Sequence, residues 1–170
     1  PRGGERLIQF VLNNSSVPVI VSGRGNNFLF IDDNVDFEMA TQLVINGKKR
    51  ISVCNAIDKV LIHRSMNNIQ ERIKFLVKNL KENGIDVWGN SEITKICNEI
   101  KEENDVATLC EEYLAPKLYV SLVDDLKEAI EMINQYSGGH TAVIATNNQE
   151  NAYKFMQEVD CAAVYHNASS

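Results

Sequence analysis

A three-layer α/β/α fold around a mostly parallel sheet is what this sequence predicts, on three observations. Short, wholly apolar runs alternate with amphipathic stretches along the chain. Strands that are apolar at every position are buried on both faces, as in a parallel sheet covered by helices. Right-handed crossovers between such strands restrict the topology to Rossmann-like windings. Finally, 170 residues with 44% hydrophobic and 24% charged side chains match one globular domain, large enough to hold a core without disulfides or metals. No repeat or low-complexity linker interrupts the chain, so residues 1–170 read as a single domain.

The elements follow in order. Residues 5–12 carry a helical stripe of Leu7, Ile8, Val11 and Leu12 directly behind Gly3-Gly4. Residues 17–21 and 28–31 are continuous apolar runs on either side of Ser22-Gly23-Arg24-Gly25, and each predicts a buried strand. Asp32-Asp33-Asn34 offers N-caps for a helix through Phe37, Met39, Ala40, Leu43 and Val44, with Gly47 as its stop. Residues 59–63 predict a strand. Ile69, Ile73, Leu76, Val77 and Leu80 share one face of a helix that Asn83-Gly84 terminates. A short strand over 85–88 leads into a helical stretch over 92–100, and 101–105 reads as a solvated charged loop. Residues 118–123 predict a strand, and Leu126, Ala129, Ile130 and Ile133 stripe a helix ended by Gly138-Gly139. Strand 140–145, helix 149–157 and strand 162–165 complete the alternation.

Charge and composition exclude several classes. Seventeen Lys and Arg against 23 Asp and Glu leave a net charge of −6, opposite to what nucleic acid or an anionic membrane surface requires. The apolar runs are too short to span a bilayer and no signal peptide precedes them, so a soluble, cytoplasmic protein is expected. The start at Pro1 and the stop at Ser169-Ser170, just after an apolar run, suggest part of a longer protein. The four cysteines form no Cys-x-x-Cys and have no neighbouring His pair, which argues against a metal site. The default for each is a small buried apolar residue.

Few motifs carry chemistry by themselves. Gly3-Gly4 opens a helix, where free amides attract phosphate, although a plain turn has the same appearance. Gly23-x-Gly25 permits close backbone approach to a ligand or merely a tight connection. Ser52-Val53-Cys54-Asn55-Ala56 follows the basic run Lys48-Lys49-Arg50. A thiol beside cations and a helix N-terminus ionises readily and suits covalent acyl transfer; a structural cysteine is the alternative. Glu111-Glu112 reads as a solvated acidic turn. His63, His140 and His166 lie at strand ends as rim imidazoles, without a triad partner at fixed spacing.

Taken together, four segments change this picture. Pro1-Arg2-Gly3-Gly4-x-x-Leu7-Ile8, Val19-Ile20-x-x-Gly23-x-Gly25-Asn26, Ser52-Val53-Cys54-Asn55-Ala56 and Glu158-Val159-Asp160-x-Ala162-Ala163-Val164-Tyr165-x-Asn167-Ala168-Ser169 occur in this order. In that order they resemble the gamma-glutamyl phosphate reductases (glutamate-5-semialdehyde dehydrogenases) of the aldehyde dehydrogenase superfamily. The resemblance runs over essentially the whole chain, which is less than half of a family member. It implies the catalytic domain of that superfamily, without most of the cofactor-binding half and the C-terminal segment.

The resemblance also implies the chemistry. Cys54 takes the nucleophile position and attacks gamma-glutamyl phosphate, releasing phosphate and leaving a thioester. NADPH then reduces the thioester to glutamate 5-semialdehyde, a step of proline biosynthesis, with no metal involved. Glu111-Glu112-Tyr113-Leu114-Ala115-Pro116 is similar to the superfamily's Glu-Glu-Ile-Phe-Gly-Pro, so Glu112 is expected to grip the ribose next to the nicotinamide. Gly3 and Gly4 are expected at the cofactor phosphates and Asn167 on the substrate side.

Three departures accompany the likeness. Val19-Ile20-Val21-Ser22 holds no carboxylate where oxidising relatives keep their hydrolytic glutamate, which suits an enzyme whose acyl acceptor is phosphate. Asn27-Phe28 replaces a Cys-His found in many reductases, and the chain is one residue shorter than usual between Asn46 and Cys54. A homo-oligomer is expected of the full-length protein, and negligible turnover of this stretch alone. The competing readings are a non-catalytic α/β binding or oligomerisation module with Cys54 packed, and another acyl-reducing relative such as one using coenzyme A thioesters.

Overall fold

The computed structural model describes Pro1, residues 5–21 and residues 24–170. Seven strands form one sheet in the order β4-β3-β5-β2-β1-β6-β7, and every pairing is parallel. In chain order these are α1 (Glu5–Asn14), β1 (Asn27–Ile31), α2 (Phe37–Lys48), β2 (Ile57–His63), α3 (Ile69–Glu82), β3 (Asp86–Gly89) and α4 (Ser91–Ile96). They are followed by β4 (Lys101–Glu102), a 3-10 turn (Val106–Cys110), β5 (Lys117–Val123), α5 (Leu126–Tyr136), β6 (Thr141–Ala145), α6 (Gln149–Glu158) and β7 (Ala163–His166).

Alternation along the strands builds two cores, because successive side chains leave a strand on opposite faces. Leu29, Ile31, Val60, Ile62, Val120 and Val143 meet α2, α3 and α4 through Val44, Ile73, Leu76 and Ile93. Phe28, Phe30, Leu61, Ala142 and Ile144 meet α5 and α6 through Ala129, Ile133 and Phe155. Strands β1, β2, β5 and β6 are buried at almost every position because both faces are covered. This is the three-layer α/β/α architecture that the apolar runs predict.

Several local expectations need correction. Residues 17–21 form no strand; β1 already pairs with β2 on one side and β6 on the other, and Ile20 is 93% exposed. Helix α2 is capped by Asp36, whose carboxylate accepts from Met39 N at 3.1 Å, not by residues 32–34. Asp32 is instead buried, accepting from Thr146 Oγ1 at 2.7 Å and Asn151 Nδ2 at 2.8 Å. Gly47 does not stop α2 but lies inside it. A Cβ there would come within 2.6 Å of Ile57 Cγ1, so the glycine lets the helix approach β2. The charged stretch 101–105 supplies β4, a two-residue edge strand pairing Trp88 with Lys101 and Gly89 with Glu102. Helix α4 ends at Ile96 rather than Ile100. The 3-10 turn, capped by Asp105, had no signature in the sequence reading.

Candidate active site

The chemistry-bearing residues gather where β1 and β2 begin. Asn26 and Asn27 are consecutive, buried, and bonded in different directions. Asn27 Nδ2 donates to the carbonyls of Gly25 (3.0 Å), Cys54 (2.8 Å) and Ala56 (2.8 Å), while its Oδ1 accepts from Thr141 N at 2.9 Å. One side chain thus fixes the turn carrying Cys54 against the glycine segment and against β6. Asn26 Nδ2 donates to Leu109 O (2.7 Å) and Tyr136 O (2.8 Å), which ties the 3-10 turn and the end of α5 to the same place.

The Cys54 thiol is exposed, in the turn between α2 and β2. It is therefore not the packed thiol that a non-catalytic module would have. Of the four cysteines only Cys97 is buried; Cys110 is exposed and Cys161 half-buried. The expected helix N-terminus is not there: the turn follows the C-terminal end of α2.

Lys48 points into the interior, fully buried, and pairs with Asp58 Oδ1 at 2.5 Å. Burial pushes the Lys48 amine down and the Asp58 carboxyl up, outweighing their mutual attraction. The pair holds the next loop: Asp58 Oδ2 accepts from Tyr113 N at 2.6 Å, and Lys48 Nζ donates to Tyr113 O at 3.2 Å. Lys59, also fully buried, donates to Asn26 Oδ1 at 2.8 Å and Glu111 O at 2.7 Å, with its ammonium 3.7 Å from the Tyr113 ring centre. Burial draws its amine down to about 7.

Glu112 is exposed, between two residues whose backbones are held in this way. A Cβ on Gly25 would approach within 2.7 Å of Cys54 O, and closer still to Glu112 Oε1. Only glycine admits that carboxylate and that carbonyl side by side. The structure thus brings Glu112 to the Cys54 turn, with an acceptor-only carboxylate suited to a vicinal diol such as a ribose.

Asn167 is placed elsewhere. It adopts a left-handed conformation (φ 49°) after β7, where its Oδ1 accepts from Thr146 N (2.9 Å) and its Nδ2 donates to Thr146 O (2.8 Å). Its amide is engaged at the carboxyl end of β6, whereas Cys54 precedes the amino end of β2. The residues beyond it return: Ser169 and Ser170 join Asn46, Gly47, Lys49, Arg50, Val53 and Asn55 around a cavity of about 440 Å³ next to the Cys54 turn. Gly3 and Gly4 lie outside the described residues. The histidines satisfy local bonds, as with His166 Nε2 and Thr146 O at 2.9 Å. Among the described residues no cluster could hold a metal ion, and no helix is long and apolar enough to cross a membrane.

Sequence reasoning missed Asn27, Lys48, Asp58 and Lys59 as parts of the site. Three charged residues, Lys48, Asp58 and Lys59, stand on or beside an otherwise apolar strand. Charge at core positions was the signal that could have found them.

The fold is that of aldehyde-dehydrogenase-type structures. A family model, the aldehyde dehydrogenase family, matches residues 95–170. An acetylating aldehyde dehydrogenase from Geobacillus thermoglucosidasius shares the fold at a TM-score of 0.73 and 20% identity, over 98% of this chain and 45% of that one. The chain is, more particularly, a homologue of the gamma-glutamyl phosphate reductases. Relatives of that name from Caldanaerobacter subterraneus and Clostridium beijerinckii are 44% and 45% identical over 100% of this chain and 41% of their own length. The crystal structure of gamma-glutamyl phosphate reductase from Thermotoga maritima superposes with a TM-score of 0.92 at 38% identity, covering 99% of this chain and 40% of that one. The chain thus spans about two-fifths of the length of the curated relatives it matches.

Proposed function

We propose that this chain is the catalytic domain of an NADPH-dependent reductase of gamma-glutamyl phosphate, working in proline biosynthesis through a thioester on Cys54. The observation that carries the reading is the juxtaposition of an exposed cysteine and an exposed glutamate across Gly25, in a chain homologous to reductases of that name.

The Cys54 sulfur attacks the acyl carbon, the carbon–oxygen bond to phosphate breaks, and the departing phosphate takes up the thiol proton. A thioester remains on Cys54. A reduced nicotinamide would supply the hydride that takes the thioester carbon to the aldehyde level. Glu112 would hold that cofactor by accepting hydrogen bonds from its ribose hydroxyls, and so set the direction of approach. Collapse of the resulting thiohemiacetal returns the sulfur to Cys54 and frees the semialdehyde. A thiol suits both halves, since sulfur is a good nucleophile and a good leaving group. The cavity bordered by Lys49, Arg50, Ser169 and Ser170 matches a small substrate that bears a carboxylate and a phosphate.

The test runs the reaction backwards in the protein carrying this chain. With semialdehyde and NADP but no phosphate, mass spectrometry should find a glutamyl group on Cys54, and added phosphate should discharge it. Adduct formation on another cysteine, or an unchanged adduct in Cys54→Ser, refutes the assignment. The chain alone, lacking most of the dinucleotide site, should show negligible turnover; robust turnover refutes that part.

A further inference from the structure

Strand β2 begins with two consecutive charged side chains, Asp58 and Lys59, and both end on the same loop. Asp58 accepts the Tyr113 amide and Lys59 donates to the Glu111 carbonyl, so residue 112 is held from both sides. The two anchors differ in kind. Asp58 has a counter-ion, Lys48. Both hydrogen-bond acceptors of Lys59 are neutral, an amide oxygen of Asn26 and a backbone carbonyl, with the Tyr113 ring beside it. The charged groups acting on it are Asp58, Glu111, Lys48 and Lys117. A buried ammonium without its own carboxylate costs several kcal/mol, and a leucine would fill the same volume more cheaply. What an aliphatic residue could not do is bridge the first strand and the Glu111 carbonyl.

We propose that Lys59 is the positioning residue for Glu112: by bridging Asn26 Oδ1 and Glu111 O it holds the loop from which Glu112 reaches a dinucleotide ribose. This rests on the reading of Glu112 given above. The low proton affinity of Lys59, near 7, agrees with a group kept buried at a cost. Lys59 touches no substrate in this account. It acts through the peptide on one side of Glu112.

A double-mutant cycle tests it, with dinucleotide affinity measured by calorimetry on the protein carrying this chain. Lys59→Met and Glu112→Ala should each weaken NADPH binding about tenfold, the scale of one hydrogen bond to a charged group. The double variant should bind no more weakly than Glu112→Ala alone. Full additivity would mean that Lys59 acts elsewhere and overturns the proposal. So would a Lys59→Met protein that binds like the parent while Glu112→Ala does not. If Glu112→Ala itself has no effect, the Glu112 reading falls and this proposal with it. Should Lys59→Met not fold, Lys59→Gln, which keeps one donor, is carried through the same cycle with the same criteria.

Discussion

Replacing Asn27 by alanine should loosen the Cys54 turn more than any other single truncation of a side chain that touches no ligand. The carbonyls of Gly25, Cys54 and Ala56 share the two hydrogens of its Nδ2, and the Thr141 amide depends on its Oδ1. Alanine leaves all four groups without that partner. The Cys54 carbonyl is part-buried and can turn to water, whereas the Gly25 and Ala56 carbonyls and the Thr141 amide sit in buried bonds. At about 1 kcal/mol for each lost bond, with a further penalty where no water replaces it, the loss comes to roughly 3–4 kcal/mol. For a domain of this size that corresponds to a Tm lower by about 10 °C. Thermal unfolding followed by circular dichroism measures the total. Hydrogen exchange at residues 54–56 locates it, and should quicken there before it does in the strands of the core. A Tm within about 3 °C of the parent, or unchanged exchange over the turn, would refute the claim that Asn27 fixes the loop.

Two predictions concern the buried charges. Lys48→Met should cost about 3–5 kcal/mol near neutral pH, because Asp58 would remain buried without its cation. The deficit should shrink on acidification, since a protonated Asp58 needs no counter-charge; urea unfolding at two pH values reads both. For Lys59, the folded amine gives up its proton near 7 while the unfolded chain holds it to the ordinary value of 10.5. Between those values the unfolded state binds more protons, so stability rises with pH there, by at most ~1.4 kcal/mol per unit from this group. Subtracting the profile of Lys59→Met from that of the parent isolates the contribution; a flat difference from pH 7 to 10 would contradict it.

The two kinds of information in the sequence were unequally legible. Strands β1, β5 and β6 could be read because they are largely apolar and β2 from its run Val60-Leu61-Ile62, and helices α2, α3 and α5 because their stripes have helical spacing. The run at residues 17–21 is as apolar as those strands but carries Pro18, which has no amide to give a ladder, and it forms no strand; apolar content does not say whether a pairing edge is open. The short edge strand β4 was obscured for the opposite reason. Its two residues are exposed and charged, as an edge tolerates. In the site, Cys54 and Glu112 could be found through motif likeness. Asn27 could not, because an asparagine before an apolar run looks like a turn residue until three carbonyls are seen converging on it. Lys48 reads in the sequence as one of the cations beside the Cys54 thiol, whereas the helix that carries it turns it inward to Asp58.

The adjacency of Asn26 and Asn27 has an evolutionary corollary. Two neighbouring amides service two separate loops, and a strand exchanges its faces with every residue of slippage. A one-residue insertion or deletion at the start of β1 would unhook the Cys54 turn and the acidic loop in a single event. Length variation in descendants of this gene should therefore be tolerated between residues 15 and 21, where no strand forms, and be purged within a few residues of position 26.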